Sequence, residues 1–290
     1  LSALNLAGLN QLEALGIAET NLKLSGLDQT VLGQLFRLDV DPGQLAQENF
    51  STLTSLNNLV IHSRTATAIS LPRNSSLGII PDLGIYAPQA RSLDFSNYAP
   101  ELIILYIGPG RLERISGAAG LNRTKFATLA THNNRLPLSQ LAPLVAAVNL
   151  NLPGAGVDIL PQSQVGFETM TSRNKPFNLS GLLAAERTLL GKNTVFRLLP
   201  ASAVTTYADG SVNVAKNQAL TEGADYTLDA AGNLKITKAG SYYLLMTNPA
   251  LYNYSAPVKL GEIIALSGLL NYQLQPQPQP PPQPKPPAPL

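Results

Sequence analysis

Hydrophobic residues between positions 9 and 153 return in one phrase. It reads LEALGI at Leu12, LFRLDV at Leu35, LNNLVI at Leu56, IPDLGI at Ile80, LIILYI at Leu102, FATLAT at Phe126 and VAAVNL at Val145. The middle anchors Leu15, Leu38, Leu59, Leu83, Leu105, Leu129 and Val148 are 23, 21, 24, 22, 24 and 19 residues apart. Apolar positions alternate within each phrase, which predicts a short strand with one face in a core. A single strand of this kind cannot bury its face, so neighbours stack and the core runs the length of the array. In one repeat two strands compete: Ala90, Leu93 and Phe95 of ARSLDF alternate as well as Ile80, Leu83 and Ile85 do.

A step of roughly 20 to 29 residues carrying L-x-x-L-x-I is the pattern of a leucine-rich-repeat solenoid. A parallel β-helix with rungs of similar length is the alternative. FATLATHNNRLPLSQLAPL resembles the leucine-rich consensus as far as Asn134 and Leu136. In that family the asparagine bridges backbone groups of adjacent turns. Thr20, Gly43, Arg64, Pro88, Gly110 and Pro153 stand in its place elsewhere, so the array is expected to be irregular. The N-terminal residues start in mid-pattern at Leu4, Leu6 and Leu9, with no capping helix before them.

The pattern stops after Leu150, and the Pro153-Gly-Ala-Gly156 break follows. Positions 154–176 read as a connector with few apolar anchors. From Phe177 the period becomes that of strands: TVFRLL (194–199), DYTLD (225–229), NLKITK (233–238), SYYLLMTN (241–248) and APVKLGEII (256–264). Turn residues at Ala230-Ala-Gly232 and Ala239-Gly240 predict a three-stranded meander over 225–248, and the whole predicts a small β-sandwich. A further irregular solenoid segment is the other reading. In the sandwich reading Tyr226, Leu228, Leu234, Ile236, Tyr243 and Leu245 share one core. ILPQ at 159–162, GADYT at 223–227, KAGSYY at 238–243 and MTN at 246–248 resemble the immunoglobulin-like module that follows leucine-rich repeats in surface proteins of Bacteroidota. The tryptophan frequent in that module is absent. The expected fold is therefore mostly β with short, irregular helical segments. A solenoid over 1–153 precedes an Ig-like sandwich over 177–268 and a proline-rich tail over 269–290. The tail, with PQPQPPPQPKPPAP at 276–289, predicts a polyproline II rod, read either as a spacer or as a docking peptide.

Composition narrows the function. Charged residues are only 13% of the chain against 44% hydrophobic, and the net charge is +2, so an electrostatic nucleic-acid or membrane-surface partner is not expected. Cysteine is absent, which removes disulfides, thiolate metal sites and cysteine nucleophiles. The longest uncharged stretch before the tail, 136–157, is broken by Pro137, Pro143 and Pro153, so no transmembrane segment is expected. N-x-S/T sequons occur at Asn49, Asn74, Asn122, Asn178 and Asn253.

His62 and His132 hold equivalent places in repeats three steps apart, about 14 Å at the usual strand spacing and too far to share a metal. Neither a G-x-S-x-G elbow nor a phosphate loop is present. No catalytic residues, metal or cofactor are expected. What remains is the face of the strands turned away from the core. There Asp39, Asp41, His62, Tyr86, Tyr106 and His132 form the candidate ligand-binding set. Tyr and His each offer a flat apolar face and a hydrogen bond, which suits a protein or glycan partner. The expected role is non-catalytic binding or adhesion outside a bacterial cell or on its surface. A structural subunit of an extracellular filament or an accessory of an outer-membrane complex is the alternative, and a homo-oligomer or larger surface complex fits either.

Overall fold

The alternation in the repeated phrase becomes a parallel sheet. The structure, a computed structural model, describes residues 3–47, 52–71, 81–96, 102–121, 123–208, 211–256 and 258–274. Strands β1 (Ala14–Gly16), β2 (Arg37–Val40), β3 (Asn58–His62), β4 (Asp82–Tyr86), β5 (Ile104–Ile107), β6 (Thr128–Thr131) and β7 (Gly156–Ile159) lie side by side in chain order, all parallel. Their register sets Leu15, Leu38, Leu59, Leu83, Leu105, Leu129 and Val157 in one row.

The last anchor is thus Val157 and not Val148. VAAVNL instead closes the helix Leu138–Ala147, whose buried Leu138, Leu141, Ala142, Leu144 and Ala147 recur every few residues as a helical stripe. Val148 is its C-cap. The two competing strands near position 85 both exist. Asp82–Tyr86 lies in the main sheet, while Ser92–Asp94 joins Ala68–Ser70 and Arg114–Ser116 in a second parallel sheet. Ile69, Leu93, Phe95 and Ile115 from that side meet the anchor row in a single continuous core.

Turning the chain between strands buries polar backbone, and a few buried side chains satisfy it. Asn134, 1% exposed, donates through Nδ2 to the carbonyls of Gly108 and His132 at 2.9 Å each, and its Oδ1 accepts from the Leu112 N–H at 3.1 Å. It links one repeat to the one before. The missing asparagines are replaced in kind at two places. Gln44 donates to the carbonyls of Ile17 and Leu22 at 2.9 and 3.0 Å. Gln162 accepts from the Leu136 N–H at 3.3 Å and donates to the Leu160 carbonyl at 2.8 Å.

The C-terminal region continues the main sheet. β8 (Gln162–Arg173), β9 (Val195–Pro200), β10 (Gly240–Ser255) and β11 (Val258–Gln273) complete it, with β10 antiparallel to β7, β9 and β11 and β8 parallel to β11. Positions 154–176, expected as a connector, are therefore largely strand, and β11 runs past position 268. A small sheet of Phe177–Asn178, Asn233–Ile236 and Tyr226–Leu228 packs over this region. The expected meander is only half present. Tyr226–Leu228 pairs with Asn233–Ile236, but after Gly240 the chain crosses to the main sheet. That crossing corrects the core. Tyr226, Leu234 and Ile236 face Tyr242, Leu244, Leu198 and Leu270, with Leu228 at the margin, whereas Leu245 packs on the opposite side with Leu199 and Leu266 and Tyr243 lies against them. A one-residue change of register turns every side chain over, and the sequence carries no mark of it.

Helix Leu138–Ala147 is joined to this region by Glu186, which is fully buried. Its carboxylate accepts from the Ser139 N–H at 3.1 and 3.3 Å and from the Ser139 hydroxyl, at the helix N-terminus where N–H groups lack partners. The proline-rich tail and the sequons Asn49, Asn74 and Asn122 lie outside the described residues. Of the other sequons, Asn178 accepts from the Ser180 N–H at 3.0 Å, and Asn253 exchanges two hydrogen bonds with the Ile159 backbone at 2.8 and 3.1 Å.

Candidate ligand-binding face

Alternation places Asn58, Val60 and His62 of β3, Asp82, Gly84 and Tyr86 of β4, Ile104 and Tyr106 of β5 and Thr128 and Ala130 of β6 on the face away from the core. The expected rings come together there. Ring centroids are 6.2 Å apart for His62 and Tyr86, 5.2 Å for Tyr86 and Tyr106, and 5.4 Å for Tyr106 and His132. The chain of four rings crosses β3 to β6 without a gap. The Tyr106–His132 contact is edge-to-face, a favoured aromatic geometry.

Two glycines decide how the central ring lies. A Cβ at Gly84 would sit 3.3 Å from Cε2 of Tyr86, and one at Gly108 would sit 3.1 Å from Cδ1. Those atoms are opposite corners of the ring, so the ring spans both glycines and lies along the sheet. Its outer side is open, and Tyr86 is 40% exposed. Side chains at either glycine would lift it.

The acids behave differently from one another. Asp39 is held by Arg37 in a two-point pair, Nε to Oδ1 at 2.8 Å and Nη2 to Oδ2 at 3.1 Å, and this contact raises the guanidinium pKa further. Asp41 does not join the rings. Its Oδ1 accepts from the Gln44 N–H and Gln44 Oε1 accepts from the Asp41 N–H, both at 2.9 Å, while Oδ2 accepts from the Glu19 N–H at 3.2 Å. That reciprocal cap fixes the start of helix Pro42–Gln47.

Asp158, on β7 within the stretch expected as a connector, joins the face. Its Oδ2 lies 3.3 Å from His132 Nε2. The V-x-I alternation of Val157 and Ile159 was the available signal. Burial raises the pKa of the Tyr106 hydroxyl, with smaller contributions from Tyr86 and Asp158. Burial also raises the Asp82 carboxyl above its ordinary value. The larger hollows lie elsewhere: a groove of about 640 Å³ beside Arg114, Phe167, Met170 and Leu182, and one of about 570 Å³ beside Arg187 and Asp229. The candidate face is an open platform.

Fold and face define a mostly β chain with a repeat-built parallel sheet and an aromatic surface. No family model matches the sequence, and no curated protein matches it. Among solved structures, the chain is similar to the functional domain of InlJ from Listeria monocytogenes, described as including a cysteine ladder, at 14% identity and a TM-score of 0.34. The match covers 94% of this chain, which spans 60% of that structure's length. This chain contains no cysteine.

Proposed function

We propose that the chain is a leucine-rich-repeat solenoid with an immunoglobulin-like C-terminal module, acting as a non-catalytic binding or adhesion protein outside a bacterial cell or on its surface. Its partner is a protein or a glycan, met by the concave face of the repeats. The observation that carries this reading is the unbroken chain of rings from His62 to His132, in which the exposed Tyr86 ring lies over two glycines. Interface energy concentrates in a few central aromatic residues, and Tyr86 and Tyr106 hold that place. Among the described residues no helix is long and apolar enough to cross a membrane.

A second reading, a structural subunit of a filament or an accessory of an outer-membrane complex, is favoured by the exposed apolar residues Val258 (56%) and Leu260 (65%) at the tip of the β10–β11 hairpin. Arrays of surface proteins and of polysaccharides, probed with the parent chain and with Tyr86→Ala/Tyr106→Ala, separate the two. Binding by the parent that the double variant loses supports the first reading. No binding on either array, together with self-assembly in size-exclusion chromatography, supports the second.

A further inference from the structure

Three carboxylates border the rings, and two of them are answered. Asp39 has Arg37, and Asp158 has His132. Asp82 has no hydrogen-bond donor and no cation among the described residues, although it is half-buried. A carboxylate kept partly out of water without a partner costs free energy, unless something else supplies the missing donors. It is the first residue of β4, the middle strand of the seven. It shares a strand and a face with Gly84 and Tyr86, and it is paired in register with Asn58 on one side and Ile104 on the other. Tyr106 lies beside Gly84, one strand over and two residues along from Asp82, a diagonal that long side chains span.

The charge of this face is opposite to that of the chain. Among the described outer positions of these strands, Asp39, Asp82 and Asp158 stand against Arg37 when both histidines are neutral, while the chain carries a formal net charge of +2. A tyrosine face beside an unanswered carboxylate is the setting in which a cation is held both by the ring quadrupole and by an ion-paired hydrogen bond.

From this geometry we infer that the face takes a lysine or arginine side chain of a protein partner, its apolar stem over Tyr86 and Tyr106 and its charged head at Asp82. This deepens the binding reading above and rests on it. A guanidinium suits the site better than an ammonium, because its plane can lie on a ring while its N–H groups reach a carboxylate. A neutral sugar could stack on the rings but would leave Asp82 with hydroxyl donors only, so the unanswered charge favours the cation.

The test uses the full chain and three probes: a tetra-arginine peptide, the same peptide with citrulline in place of arginine, and a neutral oligosaccharide of similar length. Citrulline keeps the length and planar shape of arginine but carries no charge, and a carbonyl oxygen replaces one of its nitrogens and that nitrogen's N–H donors. Fluorescence anisotropy is expected to give tighter binding of the arginine peptide, with the citrulline peptide weaker by about ten-fold or more, the size of one hydrogen bond to a charged group. Asp82→Asn should bring the arginine peptide down to the citrulline level with an unchanged circular dichroism spectrum. Glu113→Gln, which removes an equal charge far from the rings, should leave the affinity as it was. Equal binding of the arginine and citrulline peptides, or an affinity indifferent to Asp82→Asn, overturns the inference, as does binding of the oligosaccharide alone. If an array partner is lost with Tyr86→Ala/Tyr106→Ala but kept with Asp82→Asn, the face stands and the cationic class falls. If neither variant changes that partner's binding, the binding reading itself falls.

Discussion

The same repeats build two charged surfaces, and the two are finished differently. Beside the second sheet, Arg91, Glu113 and Arg135 recur one repeat apart. Arg91 lies 3.3 Å from Glu113, Arg135 lies 3.8 Å from Glu113, and Arg135 continues at 2.7 Å to Glu168 on β8. Contact with Arg135 holds the Glu168 carboxyl below its ordinary pKa. Along that flank charge alternates and each residue of the ladder has a neighbour of opposite sign. On the face away from the core Asp82 has no partner among the described residues and stands beside a row of rings. A repeat copies a position, so it can copy an ion pair into a ladder that ties units together. A charge that breaks the series, in a chain with only 13% charged residues, stands out against that background.

The comparison makes graded demands on stability. Leu83 and Leu105 lie beneath both surfaces at 1% and 0% exposure, and each replacement by alanine should cost about 2–5 kcal/mol. The double variant removes much of the roughly 5–15 kcal/mol that a domain has, and a lost far-ultraviolet transition would register it. A protein that still melts cooperatively near the parent temperature would mean that the anchor row is not the common core.

Glu186 comes next. Its removal in Glu186→Ala strips the Ser139 N–H and hydroxyl of their acceptor in a buried site, at about 1–3 kcal/mol in denaturant titration. The pH dependence has a definite sign. Burial is the largest influence on this carboxyl and raises its folded pKa, with the Ser139 bonds opposing. A raised folded pKa contributes stability that is fully present below the unfolded value, about 4.3, and is lost as pH rises through the folded value. The stability of the parent relative to Glu186→Gln should therefore fall between acid and neutral pH. A gap that widens toward neutrality would give the hydrogen bonds the larger share.

The flank ladder should matter least. Arg135 is only 11% exposed and keeps Glu168 at 2.7 Å, but Arg91 and Glu113 are solvent-exposed, at 56% and 41%, and such a pair contributes about 1 kcal/mol or less. Glu113→Gln is expected to lower the melting temperature by no more than a few degrees, and less in high salt. A larger loss would make the ladder a structural element in its own right.

How far the sequence disclosed this depended on period. Anchors from Leu15 to Leu129 were legible because each sits at the same place in a phrase that stacks on its neighbours, and the rings at His62, Tyr86, Tyr106 and His132 followed from alternation alone. Val148 misled because an apolar run ending a helix and a strand phrase share the same letters. Length and the turn at Asn149 to Gly154 distinguish them only in retrospect. Asp41 looked like a surface acid, since the partner that occupies it, Gln44, depends on local backbone geometry. Tyr243 and Leu245 lie on the side opposite to the one expected because β10 does not pair with the preceding strand Asn233–Ile236 but joins the main sheet, a long-range choice with no local signature. The role of Gly84 and Gly108 in bedding the Tyr86 ring belongs to the same class: it needs two strands at once.

The two surfaces can be set against each other most directly by photo-crosslinking. A p-benzoylphenylalanine introduced in place of His62, at the end of the ring chain, and another in place of Arg114, on the flank, would each be illuminated with the partner found on the arrays. Covalent capture from the His62 position and none from the Arg114 position is the expected result. Capture from the flank alone would move the binding surface off the rings and contradict the reading of the concave face.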